Sequence, residues 1–139
     1  MRNSILAVAL AASLLSGSSV MAETIEMQIG STAYPVELLE NDAARSLVSQ
    51  LPLSLQFEDF GNGTERIAYL KRKLSTGSAP RSSEPVRGSL AYYAPWGNLA
   101  AFRKPFRRSE GLVPLGSLGP EAIKALERSG GAPVLLRRK

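Results

Sequence analysis

The sequence contains no cysteine and no histidine. The first absence excludes disulfides, thiolate chemistry and c-type haem attachment, and the two together exclude every Cys/His zinc site. Without an imidazole, neither a Ser-His-Asp nor a Cys-His triad can be assembled within the chain. Any acid–base chemistry falls to carboxylates, tyrosines and lysines. Aromatic residues are scarce, at 6% of 139 residues, and there is a single tryptophan. The one long apolar run, Ile5 to Leu15, falls short of the roughly 20 residues a bilayer span requires, and nothing after Glu23 resembles a span.

That run follows Arg2 and passes through Ser16-Gly17-Ser18-Ser19 into Val20-Met21-Ala22. The order of positive start, apolar core and small residues at the cleavage site is that of a secretory signal peptide. It predicts cleavage between Ala22 and Glu23 and a periplasmic or secreted product. A lipoprotein signal would need a cysteine at that point. Residues 1–22 are therefore read as a signal peptide and 23–139 as one domain. Packing alone must hold that domain, because it has no cysteine to cross-link.

Lysine and arginine number 17 against 12 acidic residues, for a net charge of +5. The basic residues gather in Lys71-Arg72-Lys73, in Arg103-Lys104 with Arg107-Arg108, and in Arg137-Arg138-Lys139. Such clusters can bind nucleic acid or anionic surfaces. An exported protein rarely meets nucleic acid, so they read as solvated surface, with an anionic envelope surface as the alternative. No nucleic-acid partner is expected.

Periodicity carries the fold. Ile25, Met27 and Ile29 alternate with polar residues, and Tyr34, Val36 and Leu38 repeat the pattern after Gly30-Ser31-Thr32, which predicts a β-hairpin with one buried face. Asn41-Asp42 offers an N-cap to a short helix carrying Ala44, Leu47, Val48 and Leu51, and Pro52 ends it. Leu53, Leu55 and Phe57 alternate again, then Gly61-Asn62-Gly63 turns into a strand with Ile67 and Tyr69. Residues 75–88, rich in Ser, Pro and Gly, read as a mobile surface loop, with a lid carrying Arg81 as the alternative. Leu90 to Phe102 reads as strand, turn, strand, with Ala94-Pro95-Trp96-Gly97 as a type I turn. Leu112, Val113 and Leu115 form a strand, Gly119-Pro120 opens a second helix, and Gly130-Gly131 separates it from a last strand at Val134-Leu135-Leu136. Seven or eight strands with two short helices predict a mostly β fold, a closed antiparallel barrel that hides its strand edges.

The stretch from Gly88 through Ser89-Leu90-Ala91-Tyr92-Tyr93-Ala94-Pro95-Trp96-Gly97-Asn98-Leu99 to Phe102 resembles the signature of a bacterial cyclophilin-like family, G-D-L-x-Y-Y-x-P-W-G-N-L-x-x-F-Y. Leu51-Pro52-Leu53-Ser54-Leu55, Tyr69-Leu70 with Lys73-Leu74, and Gly111-Leu112-Val113 with Leu115-Gly116 fit it in order. The resemblance implies a cyclophilin-like β-barrel capped by helices; it implies no reaction, since the family's biochemical role is not established. Ser89 stands where the family has aspartate, and Arg103 where it often has tyrosine. True cyclophilins carry an F-H-R strand and an F-M-x-Q segment, and neither is present. Prolyl isomerase activity is therefore not expected.

Candidate ligand-binding residues are Arg66, Tyr69, Tyr93, Trp96 and Asn98; no catalytic residue, metal ligand or cofactor is assigned. Core and rim packing is the simpler role for the aromatic cluster, with one ring inside and the Trp96 turn over the barrel rim. A groove for a small molecule or peptide is the alternative. Tyr92 and Tyr93 must take opposite faces of their strand, so at most one can join a given pocket. Asn98 could tie the turn to its own backbone, Arg66 could be surface and Tyr69 half-buried. The adjacent Glu58-Asp59 reads as a solvated turn edge, because glycosidase carboxyls face each other across a substrate. The expected function is a binding module, with an enzyme using arginine, tyrosine or carboxylate groups as the alternative. Mass spectrometry of the product expressed with its leader is expected to show a chain starting at Glu23; a product retaining residues 1–22 would rule the signal peptide out.

Overall fold

The hairpin forms where the alternation places it: β1 (Met21–Ile29) and β2 (Thr32–Leu39) pair antiparallel, with Ile25 opposite Val36 and Met27 opposite Tyr34. The computed structural model describes residues 21–139, so the predicted signal peptide lies, through residue 20, outside the described residues. Helix α1 (Asp42–Ser49) follows. The Asn41 side chain accepts from the Ala44 N–H at 2.9 Å and donates to the Pro114 carbonyl at 3.0 Å, so one residue caps the helix and ties it to a strand. The helix stops at Ser49, short of Leu51, and buries Ala43, Ala44, Leu47 and Val48.

The run expected as one strand at Leu53, Leu55 and Phe57 divides at Phe57 into β3 (Leu53–Gln56) and β4 (Glu58–Phe60). Beyond it lie β5 (Glu65–Tyr69), β6 (Ser82–Ser83), β7 (Ser89–Tyr93), β8 (Asn98–Phe102), β9 (Ser109–Glu110) and β10 (Leu112–Leu118). Helix α2 (Pro120–Arg128) and β11 (Pro133–Arg138) complete the chain. The described residues thus hold eleven strands, more than the seven or eight expected, because short pieces such as β6 and β9 carry no periodic signal.

Nine of these strands form one antiparallel sheet in the order β3-β11-β1-β2-β10-β7-β8-β5-β4. Its two edge strands, β3 and β4, are joined by the single residue Phe57. The segment from Leu53 to Phe60 pairs with β11 along its first half and with β5 along its second. One continuous stretch of chain therefore serves both edges, which forces the sheet to curve round into a nearly closed barrel. This is the closed antiparallel barrel with two helices that the sequence predicted. Phe57 is buried in the interior cluster with Leu55, Tyr92, Leu99, Leu115 and Leu126.

Residues 75–88 are anchored rather than mobile. Leu74 and Ala79 are buried in the interior, and β6 pairs with β9. The Asp42 carboxylate accepts from both the N–H and the hydroxyl of Ser78, at 2.8 and 2.9 Å. The Ser78 backbone bond, then Arg45, hold the Asp42 carboxyl at about 2, below the usual 3.8. What this anchor adds to stability is complete above the ordinary value and is lost as pH falls toward 2.

The two departures from the family signature find local roles. The Ser89 hydroxyl accepts from the Val86 N–H at 2.9 Å, a turn-closing bond for which any short oxygen-bearing side chain serves. Arg103 lies 3.2 Å from Glu127 and 3.6 Å from Asp59, joining α2 to β4.

Truncating the seam residue, Phe57→Ala, is expected to cost about 3–5 kcal/mol, the usual range for deleting a buried phenyl ring. Equilibrium denaturation checks this; a loss under 1 kcal/mol would show that closure does not depend on it.

Candidate functional site

Period two sorts each strand of the barrel into an inner and an outer set. On β7, Leu90 and Tyr92 point inward and Ala91 and Tyr93 outward; on β8, Leu99 and Ala101 point inward and Ala100 and Phe102 outward. Tyr92 is buried, and its hydroxyl accepts from the Leu74 N–H at 3.1 Å. The outer set makes a second, smaller apolar cluster of Ile67, Ala91, Ala100, Phe102 and Leu112 with Tyr93 and Phe106 against it.

A pocket of about 390 Å³ stands on that cluster. Tyr93, Trp96 and Asn98 line it, together with Phe60, Glu65, Phe106, Arg107 and Glu110. The Trp96 ring meets Phe60 edge to face at 5.3 Å and Tyr93 at 5.5 Å, with interplanar angles of 87° and 76°. Trp96 is 49% exposed and Phe60 42% exposed, so the expected packing of the Trp96 turn over the rim is replaced by an aromatic arch open to solvent.

The turn that carries Trp96 begins one residue earlier than predicted. The N–H groups of Trp96 and Gly97 both donate to the Tyr93 carbonyl, at 3.2 and 2.9 Å, and Gly97 has φ +70°, the left-handed conformation glycine takes without strain. This closure returns the chain into β8 with Asn98 opposite Tyr93.

Asn98 is 1% exposed, and among the described residues no group bonds its Oδ1. The expected tie from Asn98 to its own turn is therefore not made. A buried amide oxygen left without a donor costs about 1–3 kcal/mol, so this pocket holds a stored polar demand.

The other buried polar atom without a partner among the described residues is Arg66 Nε, on the opposite face of β5; Glu65 is unfavourable for a different reason. Burial pushes its carboxyl above the ordinary 4.5, and among the described residues it forms no ion pair.

Arg66 and Tyr69 do not join them. Arg66 points to the other face of β5 and is 4% exposed. It bonds Asp59 at 3.1 Å, Ser129 Oγ at 3.1 Å and the Gly130 carbonyl. Through Asp59, Arg103 and Glu127 it belongs to a charge chain that ends at Arg87, 2.8 Å from Glu127. Arg87 and Arg103 hold the Glu127 carboxyl at about 2. This is a structural network locking the end of α2 to β4 and β5. Tyr69, 52% exposed, lines a separate, more open cleft of about 800 Å³ with Leu53, Gln56, Lys71, Arg72 and Pro133. That cleft is the barrel seam, where the free edge of β3 faces the end of β5.

Sequence reasoning missed Phe60, Glu65 and Phe106. The signal for Glu65 was present, since period two puts Glu65, Ile67 and Tyr69 on one face. Phe60 and Phe106 sit outside any periodic run.

Among the described residues no cluster of three acidic side chains could hold a metal, and no helix is long and apolar enough to cross a membrane. The model of a family described as "Cyclophilin-like family" matches residues 27–137. The solution structure of a hypothetical protein from Archaeoglobus fulgidus is similar, with a TM-score of 0.58, 18% identity, and coverage of 90% of this chain and 100% of that one. At that identity the likeness shows the fold alone. No curated protein matches the chain.

The raised Glu65 pKa means that the folded state binds this proton more tightly than the unfolded chain. Its ionised form is therefore a destabilising feature above the folded pKa, and protonation relieves it. Glu65→Gln is expected to raise Tm at pH 7.5 and to give no gain near pH 4, measured by thermal unfolding at both. A variant less stable at pH 7.5 would mean the carboxylate is paired after all.

Proposed function

The chain belongs to the cyclophilin-like family, and from that premise we propose that it is an exported binding module whose ligand, a small molecule or an extended peptide, occupies the pocket under Trp96. The observation that carries this reading is the pairing of an exposed aromatic arch with the buried, unpartnered Oδ1 of Asn98. Exposed apolar rings are costly unless something covers them. A pocket with apolar walls and a few convergent polar groups is the usual form of a ligand site. Two of the groups concerned, Glu65 and Asn98, each lower the stability of the empty protein, which is what a site kept for function rather than for folding does.

The reading is of binding without prolyl isomerisation. Arg66, the arginine nearest the pocket strands by sequence, is committed to Asp59, Ser129 and Gly130. Arg107 lies 4.5 Å over the Phe106 ring and offers no F-H-R context. A catalytic alternative rests on Glu65, whose raised pKa suits a general acid. Glu110 lines the same pocket, but among the described residues no bond fixes it relative to Glu65.

Trp96, the sole tryptophan, makes the test direct. Titration of a fragment set is expected to change Trp96 emission, and backbone amide shifts are expected to concentrate at Tyr93, Asn98 and Glu65. Trp96→Ala is expected to weaken binding by about 1–3 kcal/mol, roughly five- to 150-fold, the scale of losing one stacking partner from a buried site. Shifts confined to Tyr69, Lys71 and Arg72 would move the site to the seam and overturn the proposal.

A further inference from the structure

We infer that the ligand of the Trp96 pocket is a linear organic cation, with a positively charged nitrogen held at the Phe60–Glu65 end and a hydrogen-bond donor reaching Asn98. The inference rests on the binding reading above and names its ligand class.

The pocket has two ends, and strand register fixes how far apart they are. Glu65 pairs with Phe102 across β5 and β8, while Tyr69 pairs with Asn98. The four-residue offset between Glu65 and Tyr69, at roughly 3.3 Å per residue, puts the backbone positions of Glu65 and Asn98 about 13 Å apart along the sheet. Between them the floor is apolar, made by Ile67 and Ala100, a rung in register. A chain with an apolar middle follows that floor, beneath the single Trp96 ring that meets Phe60 at the first end and Tyr93 at the second.

At the first end stand a half-buried carboxyl and an aromatic ring in register, since Phe60 pairs with Glu65. The Trp96 ring meets Phe60 edge to face at 87°, so two aromatic rings stand beside a carboxylate. That arrangement favours an ammonium group, which the ring quadrupoles and the negative charge attract together, more strongly where water is excluded. Burial is the sole cause raising the Glu65 pKa, so no side chain of the described residues supplies the counter-charge.

At the second end is an acceptor, Asn98 Oδ1, buried and without a donor. The other charged groups lining the pocket are Glu110, which adds to the negative side, and Arg107. Arg107 opposes a cation, but it stacks on Phe106 at 4.5 Å rather than pairing with Glu65.

Three probes that share an amide on a six-carbon chain and differ at the far terminus separate the possibilities: 6-aminohexanamide, neutral hexanamide, and the anionic monoamide of adipic acid. Trp96 fluorescence and amide shifts report each titration against the intact protein. The cation is expected to bind at least about tenfold more tightly than hexanamide, the scale of one cation–π contact with a partly desolvated charge. Glu65→Gln is expected to erase the preference of the cation over hexanamide, and Arg107→Ala to strengthen it. Equal binding of cation and neutral probe, or preference for the anion, would overturn the inference and leave the pocket as a binding site. Failure of all three probes to bind would overturn it too, and failure of the fragment set with them would remove the binding reading itself. Arg107→Ala lies at an exposed position, so its result stands even if Glu65→Gln were to alter the fold.

Discussion

Phe57 is the hinge on which the barrel depends. The residues before it pair with β11 and those after it with β5, so one extended segment must satisfy two strands on opposite sides. An open nine-stranded sheet cannot meet that condition; only a curved one can. Burying the Phe57 ring in the interior fixes where the segment changes partner. Beyond that point β3 and β5 diverge, which leaves the seam cleft on one side, and on the other the outer face of β5, β8, β7 and β10 where the aromatic pocket stands.

Charged groups divide by the direction in which the fold shifts them. Asp42 and Glu127 are drawn down to about 2 by hydrogen bonds and arginines, and each fastens one part of the chain to another: a loop to α1, and α2 to the strands. Glu65 is shifted the other way by burial alone. The first kind adds to stability and the second subtracts from it. Asn98 Oδ1, buried without a partner on the same face, belongs with the second kind. Two of the polar groups that weaken the empty protein, Glu65 and Asn98, line one pocket, while Arg66 Nε, also buried without a partner, lies in the frame with the groups that strengthen it.

Much of this was legible in the sequence, residue by residue. Alternation of Leu90, Tyr92 and Tyr93 assigned the two tyrosines to opposite faces, because a pleated strand leaves no other choice. Asn41 announced the start of α1 through its capping oxygen. The anchored course of residues 75–88 was not legible, since Asp42 reaches Ser78 across 36 positions. The same limit applies to Arg66. Its strand position was readable, yet whether it faced ligand or interior depended on Asp59, Ser129 and Gly130 arriving from three other elements.

Local chemistry therefore determined the main strands and both helices, their faces, the barrel class and three of the pocket residues, Tyr93, Trp96 and Asn98. All of these follow from backbone periodicity, turn chemistry and a contiguous motif, and so need only near neighbours in the chain. Tertiary structure alone decided that Phe60 completes the pocket beside Glu65, that Tyr69 belongs to the seam, and that Arg66 is structural. Those outcomes turn on strand register and on the closure at Phe57, which bring together residues that no local pattern relates.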